Sequence, residues 1–230
     1  MKNIIKKALG YTLIYIAMAL IMVMITNKAS TDFYIPYEGT VILLCLVAVC
    51  AITGTSLLAS IISKREHKTD MMRTILVVIF MAYLIALLKV LFIDRTDLSS
   101  ASIIYHKDMR DINLIPFATI KLFIRSWNYG YLRKGVVITN LIGNIVIFLP
   151  MVILLWCIFK VMRKNILVII VSFFIIIGVE VCQYITGFGS CDIDDVILNM
   201  IGVVLGYLIV RMKLFRIICH KLYIIEEKYN

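Results

Sequence analysis

The stretch from Val179 to Asp195, "VEVCQYITGFGSCDIDD", carries the carboxylates Glu180, Asp192, Asp194 and Asp195 between two long uncharged runs. Glu180 stands inside the first of those runs. A carboxylate there must take a proton, meet a cation or collect hydrogen bonds, because a bare charge at the centre of a span costs about 2.5 kcal/mol or more on insertion scales. Gln183 follows three residues on, which on a helix is the same face. Asp195, Asn199, Gly202 and Gly206 fall on one helical stripe, and Asn140 and Asn144 share a face at i,i+4 spacing. Several chemistries are open to such a set. It could bind a polar ligand, or hold Mg²⁺ against a phosphate through Asp192, Asp194 and Glu180, since hard cations prefer oxygen ligands. It could also line a transport path. Each residue has a structural counterpart to weigh against these. The asparagines could hydrogen-bond between helices. Gly202 and Gly206 could form a notch for helix packing. Asp194 and Asp195 could cap the helix that follows them. Glu180 has no comparable structural explanation. No nucleophile has a paired base, and His67, His106 and His220 form no pair.

The elements that must position these residues follow from composition. Hydrophobic residues make up 62% of the 230-residue chain, and the mean hydropathy is +0.99. Only helices and closed barrels satisfy their backbone in lipid, and the apolar runs lack the period-two alternation of a barrel. The reading is an all-α, polytopic helical membrane protein with about six transmembrane helices, each needing about 20 residues. The expected spans are Ala8 to Thr26, Val41 to Ile62, Thr74 to Ile93, Val136 to Phe159, Ile166 to Ile185 and Val196 to Val210. The first is read as an uncleaved anchor, because its apolar run is too long for a signal peptide's core.

Basic residues orient the spans. Lys2, Lys6 and Lys7, then Lys64, Arg65, Lys68 and Arg73, then Lys160, Arg163 and Lys164, and finally the tail from Arg211 to Lys228 all fall on one side. That side is expected to be cytoplasmic, with both termini there and the acidic cluster facing outside. The loop from Asp94 to Lys134 is basic as well, and long loops obey the rule less well. The net charge of +10 is read as flanks beside anionic lipid, not as a nucleic-acid surface.

In the outward geometry Glu180 lies roughly 8 Å inside the end of its span, at 1.5 Å per residue. Asn140, Asn144, Gln183, Asn199 and Lys89 come to a similar depth. Lys89 is the first candidate ion-pair partner for Glu180, followed by Arg95 and Arg110. "PFATIKLFIRSW", from Pro116, has the apolar spacing of an interfacial helix, with Pro116 suited to its first turn and Trp127, Tyr129 and Tyr131 suited to the headgroup level. Such a helix is either a connector or a lid over the polar cluster. The cysteines form neither a disulfide framework nor a zinc pattern and are read as small apolar filler, with Cys191 outside the spans.

The ordered set "DR" at Asp94, "NLIPF" at Asn113, "NLIGNIVIFLP" at Asn140, "GVEVCQYITG" and "DIDDVILNMIGVVLG" resembles the VanZ-like family of membrane proteins. The resemblance runs from about Asp94 to Gly206. It implies that Arg95, Asn113, Asn140, Asn144, Glu180, Gln183, Asp192, Asp195 and Asn199 are the family's polar residues. It also implies a cell-envelope role, because the family's namesake is linked to low-level teicoplanin resistance. Many members carry an Arg just before the residue matching Asp192, where this chain reads Gly189, Ser190 and Cys191. The expected partners are membrane lipids together with a glycopeptide antibiotic or a lipid-linked wall precursor. No cofactor, resident metal or nucleic acid is expected. The alternative is a membrane-embedded, metal-dependent enzyme acting on a lipid-linked wall precursor. Transport ranks last, because the polar residues crowd one half of the membrane. Domain boundaries are expected at residues 1–73 for an N-terminal transmembrane pair and loop, 74–212 for the VanZ-like membrane domain and 213–230 for a basic tail.

Overall fold

The computed structural model describes residues 2–26, 37–93, 112–164, 166–187 and 189–225. Its helices are α1 (Lys2–Thr26), α2 (Tyr37–Ala59), α3 (Arg65–Leu88), α4 (Ala118–Tyr129), α5 (Lys134–Ile158), α6 (Leu167–Thr186), α7 (Ile193–Arg211) and α8 (Lys213–Lys221). Two short strands, β1 (Ile112–Asn113) and β2 (Cys191–Asp192), complete the regular elements, with a π turn at Lys89–Ile93 and a 3₁₀ turn at Lys160–Arg163. Among the described residues, 6 helices are long and apolar enough to cross a membrane. The fold is the expected polytopic helical one.

The chain divides into two compact units, residues 1–88 with 212–230, and residues 89–211. In the first, α1 and α2 pack through small residues. A Cβ on Gly54 would lie 2.8 Å from the Gly10 carbonyl oxygen, so the two backbones approach closely only because both positions are glycine. α3 begins at Arg65, so Arg65, Lys68 and Arg73 stand on the helix itself and not in a loop before it. The segment read as a short basic tail contains a helix, α8. Arg65 Nη2 donates to the His220 carbonyl at 2.9 Å and to the Ile225 carbonyl at 3.3 Å. A cation at a helix C-terminus complements the dipole there. The reversal after α8 is made by Tyr223 at φ 61°, a left-handed backbone. Its ring lies under Lys68 Nζ at 4.7 Å.

In the second unit α5 and α7 pack most closely. A Cβ on Gly202 would run into the Ile145 carbonyl oxygen, and one on Gly206 would stand 2.9 Å from that of Leu149. Phe148, Met151, Val152 and Trp156 of α5 are buried. The C-terminal carbonyls of α5 are held by Arg163, whose Nε donates to Trp156 O at 3.1 Å and whose Nη2 donates to Cys157 O at 2.9 Å. α6 buries a single stripe, Val168, Ser172, Ile176, Glu180 and Gln183. That spacing of four, four, four and three residues is one helical face. Glu180 therefore points into the protein. α6 ends at Gly187, φ 73°, where an L side chain would be strained. The chain then turns into β2, which pairs in parallel with β1 in the register Ile112↔Cys191 and Asn113↔Asp192.

Candidate functional site

The ladder brings the start of α4 against the start of α7, and the acids of the opening stretch work across that junction. Asp192 immediately precedes α7. Its Oδ1 accepts from Asp194 N at 3.0 Å, which is the N-cap bond of that helix. The same oxygen accepts from Asn113 Nδ2 at 3.0 Å, and Oδ2 accepts from Thr119 Oγ1 at 2.6 Å. Asn113 Nδ2 also reaches Thr119 Oγ1 at 3.1 Å, and Asn113 Oδ1 accepts from Ile115 N at 3.2 Å, an Asx turn that starts the bend into α4.

Asp194 does something different from the expected cap of its own helix. It is buried, and both oxygens serve α4. Oδ1 accepts from Phe117 N at 2.5 Å, and Oδ2 accepts from Thr119 N at 2.7 Å and Ile120 N at 3.0 Å. The first N–H groups of a helix have no partner within it and carry the positive end of its dipole, so a carboxylate is well placed there. Phe117, expected inside the helix, is instead its N-cap at φ 64°, and α4 starts at Ala118. A left-handed conformation costs an L residue roughly 1–2 kcal/mol. The bond from Phe117 N to Asp194 offsets that cost. Asp194 and Asp195 do lie in the first turn of α7, where negative charge suits the dipole. The side-chain bond that caps that turn, however, comes from Asp192.

Asp195 makes the bond between spans. Its Oδ1 accepts from Asn144 Nδ2 at 2.5 Å, tying α7 to α5 two turns before Gly202 along α7. Asn140 shares the spacing but not the role. Its Nδ2 donates back to Val136 O at 2.8 Å within α5. Asn199 is buried at the next turn of α7, and its Oδ1 has no hydrogen-bond partner among the described residues.

Glu180 is 2% exposed. Its Oε2 accepts from Asp192 N at 3.4 Å, a long bond that sets the carboxylate directly beneath β2. Gln183 is fully buried on the same face. Its Nε2 donates to Leu91 O at 2.9 Å in the π turn, while Oε1 has no partner among the described residues. Lys89, half-buried, opens that π turn two residues from the Leu91 carbonyl. Arg95 and Arg110, the other proposed partners of Glu180, lie outside the described residues, as does His106. Cys191, beside both acids, has its thiol pKa pushed up, first by burial and then by the negative charges of Glu180 and Asp192.

The structure thus joins Asn113, Asp192, Glu180 and, through α7, Asp195 and Asn144. Asn140 turns away. Sequence reasoning passed over Thr119 and the trans-capping role of Asp194. A hydroxyl in the first turn of the interfacial helix was the available signal for Thr119. The partners of Asp194 are backbone amides, and no residue type announces them. Among the described residues no three of His, Cys, Asp and Glu converge to hold a metal ion. Asp194 in particular has both oxygens on backbone N–H groups.

The VanZ/LLP1 family model matches residues 80–216, well over half of the chain and all of the second unit. The chain belongs to the VanZ/LLP1 family. The match takes in Lys89, Asn113, Asn140, Asn144, Glu180, Gln183, Asp192, Asp195 and Asn199. No curated protein and no solved structure matches the chain. The residues of α1 and α2 precede the matched segment.

Proposed function

We propose that this VanZ-like membrane protein serves the cell envelope by binding a lipid-linked wall precursor or a teicoplanin-type lipoglycopeptide through Glu180 and its neighbours. The termini are cytoplasmic and the acidic cluster faces outside, the orientation favoured by the Lys and Arg flanks. One observation carries the reading. Glu180 is a carboxylate 2% exposed on the interior face of a spanning helix, an arrangement rarely adopted without function. Its neighbours have structural duties: Asp192 caps α7, Asp194 caps α4 and Asp195 joins α5. Glu180 accepts the Asp192 N–H in a long bond beneath β2 and starts neither α4 nor α7. Gln183 beside it keeps a buried acceptor oxygen open to a donor. Lys89 is the proposed counter-charge of Glu180. The metal-dependent enzyme has less support, because Asp194 is committed to α4 and does not turn towards Glu180.

The test is expression of the chain and its Glu180→Gln variant in a teicoplanin-susceptible host. The unaltered chain raises the inhibitory concentration, and the variant inserts and accumulates equally but gives no protection. Full protection by the variant would make the cluster structural. Turnover of a lipid phosphate by the purified protein, abolished by EDTA, would move the assignment to an enzyme.

A further inference from the structure

Helix α4 divides into sectors. Its inner side packs on α5 and α7, with Ser126 buried and Thr119 and Leu122 partly covered. A second sector leaves Ile124 and Trp127 half exposed, at 50% and 42%. On the flank beside it Lys121 and Arg125, one helical turn apart, are exposed. On either side of Gly130 the exposed rings of Tyr129 and Tyr131 stack at 5.6 Å. Arg133 and Lys134 follow, both exposed, with Lys134 Nζ 5.1 Å over the Trp127 ring. From Ile112 to Lys134 these four cations have no Asp or Glu among them. Asp194, which enters from α7, is enclosed with its oxygens on backbone amides. None of the four is in an ion pair among the described residues. In the orientation proposed above, α4 lies on the side where the distribution of Lys and Arg gives no reason for such a concentration.

We infer that this face binds the phosphate of an anionic membrane phospholipid. Lys121, Arg125, Arg133 and Lys134 hold the headgroup, and the acyl chains lie along Ile124 and Trp127. An apolar flank puts α4 at the depth of the glycerol region. There a basic flank meets phosphate, and aromatic rings fit the same level. Charge complementarity selects the occupant: a zwitterionic lipid would leave the four cations without net compensation. The inference is independent of the role given to Glu180.

The chain's own tryptophans give the measurement. It has 2, and Trp156 is 2% exposed while Trp127 is half exposed. A Trp156→Phe chain therefore reports from α4 alone. The full-length protein is reconstituted in phosphatidylcholine vesicles containing a minor, equal fraction of brominated phosphatidylglycerol or brominated phosphatidylcholine. The anionic quencher is expected to quench Trp127 about twofold more strongly, or better, and raised salt to narrow the difference. Lys121→Gln, Arg125→Gln, Arg133→Gln and Lys134→Gln together bring the two lipids to parity. Equal quenching in the unaltered face, or a preference that survives the fourfold substitution, would overturn the assignment. Loss of the preference on adding inorganic phosphate at constant ionic strength would make the ligand a free anion and overturn its lipid character. If Trp156→Phe fails to accumulate, the difference between the unaltered chain and Trp127→Phe yields the same quantity.

Discussion

Asp194 and Phe117, 77 residues apart, are joined by a bond of 2.5 Å from the Phe117 amide to the Asp194 carboxylate. With the bonds from Thr119 and Ile120, the first turn of one helix is closed by a side chain from the first turn of another. The interfacial helix is thus fixed to the spanning bundle at its N-terminal end, directly above the ladder that covers Glu180.

Asp194→Ala is therefore expected to free α4 before it unfolds anything else. It leaves three N–H groups unpaired and removes the compensation for the left-handed Phe117. Each bond to a charged acceptor contributes about 1.5–3 kcal/mol, so a loss of about 3 kcal/mol or more is expected. Thermal unfolding in detergent measures that loss. Trypsin gives the local readout, since Lys121 and Arg125 lie on the freed helix, and their cleavage should accelerate. Asp194→Asn keeps one acceptor and falls between. Unchanged melting and cleavage would show that the carboxylate does not secure the helix.

A second prediction concerns the α5–α7 contact. The Cβ of Gly202→Ala would collide with the Ile145 carbonyl oxygen. The obstacle is backbone, so no rotamer change relieves it, and the helices must separate. Overpacking costs typically about 1–3 kcal/mol, and Gly202→Ala is expected at or above the upper end. At Gly206 the corresponding distance is 2.9 Å, and a smaller loss follows. Gly135 and Gly178 have nothing within 4 Å of an added Cβ, so Ala at either serves as a control. Denaturant titration in mixed micelles orders the variants. A Gly202→Ala chain as stable as Gly135→Ala would contradict the close approach.

These relationships differ in how far the sequence announced them. The spans were legible because length and hydropathy are read directly by the membrane. The buried direction of Glu180 was legible because the 3.6-residue period makes it share a face with Gln183. Other features depend on how helices cross. Asn140 and Asn144 have identical spacing and chemistry, yet Asn144 meets Asp195 while Asn140 bonds to Val136 of its own helix. Which asparagine reaches α7 is decided by the place where Gly202 lets the two backbones meet. The capping by Asp194 was illegible for another reason. Its partners are peptide N–H groups, present at nearly every position, and only the β1–β2 pairing selects those of residues 117, 119 and 120. α8 was missed because nine residues with four basic side chains, Lys213, Arg216, His220 and Lys221, resemble a solvated tail until Arg65 supplies a partner for the end of the helix.

Cys191 and Glu180 give the last prediction. Burial is the main reason the Cys191 thiol titrates above its ordinary value, and the carboxylates of Glu180 and Asp192 add to it. Each negative charge disfavours the thiolate, which is the form that reacts with alkylating reagents. At a fixed, mildly alkaline pH the thiolate fraction is therefore small, and alkylation should keep accelerating with pH beyond the point where an exposed thiol levels off. Glu180→Gln removes one charge, lowers the thiol pKa towards its ordinary value and raises the rate at that pH. A shift of one pKa unit is tenfold in thiolate, so an increase of about two- to tenfold is expected. Burial persists in the variant, so the rate stays below that of a free thiol. The measurement is iodoacetamide kinetics against pH on a chain in which the other cysteines are Ala. The rate–pH curve of Glu180→Gln should move to lower pH without changing its plateau. A curve that does not move would mean that Glu180 carries no negative charge when Cys191 ionises, and would place a proton on Glu180 at that pH.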